Sequence, residues 1–176
     1  MLLKIRLYLL LIIFPAISFA QSELHKITFL EDTVTINSPV ELIEMSDEMF
    51  KFKYRMSTKP TLILSDEAAE VNLIANFSNI KISEKMIVAF KDNQIKQLGK
   101  KNESLKILDS GVKIVNGRKI SYCKFQTDAI DQKIFNYYFF IVHKNKVLMF
   151  TFNCLNKLKS KWEKVADEIV MSVRLK

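Results

Sequence analysis

The sequence predicts an α+β domain in which an antiparallel sheet of about six strands is flanked by helices on both faces. Three observations point there. Residues 134–154, IFNYYFFIVHKNKVLMFTFNC, hold two nearly continuous apolar runs split by the polar tetrad HKNK. Residues 83–101 and 158–176 carry apolar side chains at helical spacing. Between them, Asn116-Gly117 separates two extended runs, and a type I′ hairpin favours that pair because it needs positive φ twice.

The 134–154 segment decides the layering. A half-exposed strand alternates apolar with polar residues, and this one does not. Ile134, Tyr138, Phe140 and Val142 point one way, while Phe135, Tyr137, Phe139 and Ile141 point the other. In the second run Val147, Met149 and Thr151 share one face, and Leu148, Phe150 and Phe152 the other. Strands apolar on both faces must be covered on both faces. The hairpin makes them antiparallel, so helices are expected above and below. A membrane barrel is the competing idea, but its strands would alternate apolar with lumen-facing polar residues.

The first twenty residues, MLLKIRLYLLLIIFPAISFA, read as a signal peptide rather than as part of the fold. Lys4 and Arg6 form a positive start, Leu7 to Phe14 an apolar run, and Ser18 and Ala20 the small-residue cleavage pattern. The run falls short of the roughly 20 residues a spanning helix needs. Cleavage after Ala20 would leave residues 21–176 as a single exported domain. Such a length buries roughly 70% of its unfolded surface without metals or disulfides. Losing Lys4 and Arg6 lowers the net charge from +8 to +6. That balance favours anionic surfaces as partners, and an exported chain rarely meets nucleic acid.

Within the domain, KITFLEDTVTINSP alternates at Val34 and Ile36 and stops at Pro39, as a strand ending in a turn. Ser46, Asp47 and Glu48 suit a helix N-terminus, and that helix ends near Tyr54. KPTLIL and EVNLIANFS read as strands joined by a loop. Ser83 opens the longest helix, with a stripe at Met86, Ile87, Phe90, Gln94 or Ile95, and Leu98. Lys91, Lys96 and Lys100 lie off the stripe, and Gly99 is the expected stop. The hairpin turn places Val115 opposite Arg118. A loop at TDAIDQ leads into the two-faced strand, and HKNK turns the chain back. The tail is a helix with Leu158, Trp162, Val165, Ile169 and Val173 on one face. Its Lys159, Lys161, Glu163, Lys164 and Asp167 are left for solvent.

Two cysteines in an exported chain normally suggest a disulfide. If strands 118–126, 134–142 and 147–154 pair in order, however, Cys123 and Cys154 lie two strands apart, roughly 10 Å. Free, buried thiols are therefore expected.

NGRKISYCKFQ, the aromatic strand, the lysine turn before VLMFTFNC and the tryptophan helix ending IVMSVRL together resemble the C-terminal half of PsbP-like proteins. That family includes the extrinsic proteins of the oxygen-evolving complex and the bacterial envelope proteins called DcrB. SPVELIEMSDEMFKFKY, KPTLIL and EVNLIANFS also fall in its order, so the likeness spans nearly all of residues 33–175. It implies an α/β/α sandwich used mainly as a non-catalytic binding or assembly module. No functional residue transfers through it.

The chemistry-bearing residues point the same way. His25 and His143 have no Cys, Asp or Glu at ligand spacing. Neither cysteine sits at an electropositive helix start. Asp66, Glu67 and Glu70 read as a solvated loop, and Trp162 as a core anchor. No GxSxG elbow, phosphate loop or HExxH is present. No catalytic, cofactor-binding or metal residue is therefore assigned. The expectation is an exported, non-catalytic envelope or periplasmic protein whose partner is another envelope protein or an anionic surface. The alternative is a binder of a small apolar ligand or lipid between the sheet and a helix layer.

Overall fold

A computed structural model describes residues 23–54 and 58–176. The expected leader, residues 1–20, lies outside the described residues. The elements run β1 (Leu24–Phe29), β2 (Val34–Pro39), β3 (Ile43–Glu44), α1 (Asp47–Tyr54), β4 (Leu62–Ser65) and β5 (Val71–Lys81). They continue with α2 (Ile87–Lys101), β6 (Lys106–Val115), β7 (Arg118–Asp128), β8 (Lys133–His143), β9 (Lys146–Leu155), α3 (Lys159–Ser172) and β10 (Arg174–Leu175).

The main sheet has seven strands in the order β3-β4-β5-β9-β8-β7-β6, and every neighbouring pair is antiparallel. The expected pairing of β7, β8 and β9 as consecutive neighbours is observed, with Val115 opposite Arg118 across the first hairpin. Asn116 and Gly117 take φ of 48° and 77°, as a type I′ turn requires. The HKNK hairpin uses the same geometry without glycine: Lys144 and Asn145 have φ of 47° and 58°, and His143 pairs with Lys146.

Both faces of the central hairpin are buried, each against different elements. Phe135, Tyr137, Phe139 and Ile141 pack with Leu148, Phe150 and Phe152 beneath α3, against Trp162, Ala166, Ile169 and Val170. Phe139 stacks on Phe150 with ring centroids 4.5 Å apart. On the opposite face, Phe140 and Val147 pack with Ile87 of α2, and Phe90 meets Phe140 edge-on at 5.6 Å. Helix α1 covers the β4–β5 end of that same face, where Phe50 packs with Ile63 and Ala69. Its start is capped as expected: the Met49 amide donates to Ser46 Oγ at 3.1 Å.

The structure corrects the sequence reading in four places. The opening segment is a hairpin rather than one strand. With β10 it forms a second, three-stranded sheet of order β1-β2-β10, which shares the α3 face of the main sheet; Phe29 meets Phe150 edge-on at 6.2 Å. The strand count is therefore seven plus three rather than about six. Helix α2 runs through Gly99 to Lys101, because Gly99 keeps an ordinary helical φ and its open surroundings impose no turn. Met86, read on the apolar stripe, is exposed, and Lys91, read off it, is buried with its ammonium on Ser110 Oγ at 2.6 Å. Glu163 and Asp167 of α3 are likewise half-buried, for a reason given below.

The apolar face of α3 tests this packing. Trp162 is 5% exposed and lies against Phe152. Trp162→Ala should lose about 3–5 kcal/mol of unfolding free energy in denaturant titrations. Lys161, whose ammonium reaches Glu41 only at 3.9 Å, should lose no more than about 1 kcal/mol as Lys161→Ala. Equal losses would contradict the assigned face.

Candidate functional site

Polar chemistry inside the fold concentrates at two places. The first lies under α3. Lys124 of β7 points from the sheet into the helix and meets Asp167 Oδ2 at 2.8 Å and Glu163 Oε1 at 3.2 Å. Lys113 of β6 reaches the other Asp167 oxygen at 2.7 Å, and the Tyr137 hydroxyl donates to it at 3.2 Å. Burial alone would raise the Asp167 carboxyl, but Lys113 and Lys124 outweigh it and hold the group below its usual range. Burial likewise pulls Lys124 down, and Asp167 and Glu163 more than reverse it. Burial, with Asp167 beside it, pushes the Tyr137 phenol well up. Asp167 and Lys124 therefore stay charged and the Tyr137 phenol neutral near neutrality, and with Lys113 and Glu163 they tie α3 to β6, β7 and β8.

The second place lies at the far end of the sheet, beside α1. Asn72, fully buried on β5, donates to Asn153 Oδ1 on β9 at 2.9 Å and to the Ala69 carbonyl at 3.2 Å. Lys53 of α1 reaches down to the same Asn72 amide oxygen and the same carbonyl. Burial lowers its ammonium below the usual lysine range, with Asp66 opposing. Burial also pushes the neighbouring Tyr54 phenol up to about 12. Lys53, Tyr54 and Asn153 border a groove of about 550 Å³ with apolar walls at Met49, Phe52, Ile134 and Leu155. Phe52 stands 82% exposed at its lip. A second hollow, about 570 Å³, lies between β1 and the β3–β4 edge, lined by Ile27, Val40, Ile43 and Leu62.

The residues singled out in the sequence are dispersed. His25 is exposed on β1, whereas His143 is buried at the end of β8. Thr33 Oγ1 donates to the Leu30 carbonyl at 2.7 Å, so His143 Nε2, at 2.9 Å, donates to that hydroxyl. The contact fastens the β1–β2 turn, in which Leu30, Glu31 and Asp32 all have positive φ. Burial, then Lys144 and Arg118, lower the His143 imidazole and favour its neutral form. Asp66 caps the β4–β5 turn by accepting from the Val71 amide at 2.8 Å, and Glu70 pairs with Lys157 at 3.0 Å. Among the described residues, no three His, Cys, Asp or Glu side chains converge as a metal site. Also among them, no helix is long and apolar enough to cross a membrane.

Sequence reasoning missed Lys124, Asp167, Asn72 and Lys53. A lysine within the apolar strand run ISYCKFQ was the available signal for the first pair. Nothing local marks Asn72 or Lys53, which meet only through the packing of α1.

No protein-family profile and no curated protein matches the sequence. Solved structures do match, and they show the fold. The solution structure of cyanobacterial PsbP (CyanoP) from Synechocystis is similar over 90% of this chain and 96% of that one, with a TM-score of 0.65 at 11% identity. LpqN of Mycobacterium tuberculosis, described as involved in cell envelope biogenesis, is similar over 87% and 90%, with a TM-score of 0.60 at 9% identity. A Pseudomonas aeruginosa protein described as a possible regulator follows at a TM-score of 0.50 and 10% identity, over 85% and 94% of the two chains. The chain thus has a PsbP-like α+β sandwich fold.

Both cysteines are free and buried, and the sheet keeps them apart twice over. Cys123 pairs with Tyr138 and Cys154 with Phe135, so β8 runs between them. Tyr138 belongs to the α2 side and Phe135 to the α3 side, so the thiols also face opposite layers. Burial raises both, Cys154 to about 12. Unreduced protein in denaturant should react with a thiol reagent at both cysteines, while native protein reacts slowly. A mass lower by two hydrogens, with no titratable thiol, would contradict the strand order.

Proposed function

We propose that this chain is an exported, non-catalytic envelope protein that acts as an interaction or assembly module. The observation that carries the reading is how the interior polar groups are used. Lys124, Asp167 and Tyr137 hold α3 to the sheet, Lys53 and Asn72 hold α1 to it, and His143 holds the small sheet. Asp167 and Lys124 are held in their ordinary charged forms and the Tyr137 phenol in its neutral one, while Lys53 and His143, lowered by burial, are each committed to hydrogen bonds inside the fold. The leader-like first twenty residues and the likeness to LpqN and PsbP support an envelope location. The basic balance, +6 once Lys4 and Arg6 are removed, suits a partner with an anionic surface.

A second reading is favoured by one feature. The groove beside α1 combines apolar walls with two converging polar groups, Lys53 and Asn153, the usual make-up of a small-ligand site. It would take a small apolar molecule carrying one acceptor group, or a lipid.

Cell fractionation followed by affinity capture tests both. The chain should appear in the exported fraction with Gln21 at its N-terminus, and capture should enrich envelope proteins. Stoichiometric lipid recovered in place of protein would favour the groove. Retention inside the cell with Met1 intact would overturn the export on which both readings rest.

A further inference from the structure

Strand β6 is the long open edge of the main sheet. It pairs with β7 on one side, and no described strand pairs with the other. The opposite edge, β3, is only two residues long. Long open edges invite further strands unless charge, proline or a bulge blocks them. Here the charges do not block, because they are arranged to match themselves.

The hairpin fixes which backbone groups point outward. Val115 and Arg118 flank a two-residue turn and form a hydrogen-bonded pair, so Lys113 and Gly111 bond β7 in turn. The N–H and C=O groups of Ser110, Val112 and Ile114 therefore face away from the sheet. The side chains divide as well. Asp109, Gly111 and Lys113 lie on the α3 face, where Asp109 Oδ2 accepts from the Tyr122 hydroxyl at 3.1 Å and Lys113 meets Asp167. Val112 and Ile114 lie on the α2 face and are 44% and 64% exposed.

We propose that two copies of this chain join antiparallel through β6, about a two-fold axis at Gly111, and so continue the main sheet across both copies. The register follows from the residues. An axis at Gly111 sets Asp109 of each copy opposite Lys113 of the other, twice. It makes that pair a non-hydrogen-bonded one, where side chains come closest. On the other face, Ser110 falls opposite Val112, covering apolar surface now left to solvent. Moving the axis to Ser110 or Val112 sets glycine against one charge and gives the other no opposite charge across the interface. Parallel pairing sets like against like.

Gly111 itself fits the axis. The two Cα atoms approach closest at a non-hydrogen-bonded pair, and a Cβ there would meet the Tyr122 ring at 3.2 Å. The regular stretch is also centred on it. A bulge between Ile107 and Asp109 ends the ladder on one side, and the Asn116-Gly117 turn ends it on the other.

Sedimentation velocity of the purified chain over a concentration series tests the proposal, with amide hydrogen exchange on the same samples. A dimer is expected, with the Ser110 and Val112 amides protected as it forms. Val112→Pro removes an amide that faces outward and leaves the β7 ladder whole, so it should give a folded monomer. Asp109→Lys, which sets lysine against Lys113 in both copies, should also be monomeric, with its melting curve showing that the fold persists. A monomer throughout the series overturns the proposal, as does a dimer that both variants leave intact. Protection of the β6 amides only on adding another envelope protein would assign the edge to a different partner and overturn it too.

Discussion

Phe139 and Phe140 are consecutive residues of one strand, and both are completely buried, on opposite sides of the sheet. A strand can hide both faces only when a layer lies above and below it. That constraint explains most of the architecture. One side is closed by α3 and by the small β1-β2-β10 sheet, and the other by α1 and α2. Neither closure dispenses with the other, because β8 and β9 present aromatic or branched side chains in both directions along most of their length. The remaining strands extend this centre outward, and burial falls towards the edges, where β3 and much of β6 are exposed.

Each covering layer is also tied by polar contacts, and these explain why the charged residues sit where they do. A lysine in the middle of a sheet face would be costly if unpaired. Lys124 is tolerated because α3 delivers Glu163 and Asp167 one turn apart, both within reach of its ammonium. Lys53 performs the corresponding task for α1. With these interior lysines, carboxylates, histidine and amides committed to joining layers, the open features of the fold lie at its rim: the groove beside Phe52 and the long β6 edge.

The parts of this fold legible in the sequence were those fixed by local pattern. The two-faced β8–β9 hairpin, the Asn116-Gly117 turn and the Trp162 face of α3 each follow from local spacing, and each stands as read, except that Val173 lies just past the end of α3. The separation of Cys123 from Cys154 followed from strand order, though their lying on opposite faces required the register. The small sheet was not legible. Its strands β1 and β2 are short, its turn uses left-handed residues other than glycine, and β10 is two residues whose pairing with β2 depends on where α3 ends. Asp167 was assigned to solvent because helical spacing sees only its own helix, and the lysines that draw it inward come from β6 and β7. The burial of Lys91, off the apolar stripe, was illegible for the same reason: its partner Ser110 is on a strand.

The claim that both faces of the central hairpin are equally indispensable is tested most directly by matched truncations at adjacent positions. Phe139→Ala removes the ring stacked on Phe150 beneath α3, and Phe140→Ala removes the ring met by Phe90 of α2. Denaturant unfolding of the two variants should show losses of similar size, about 3–5 kcal/mol each, as large aromatic truncations in closed cores do. A loss at Phe139 with Phe140→Ala within about 1 kcal/mol of the parent would mean that the α2 face is open to solvent, and the two-layer account would fail.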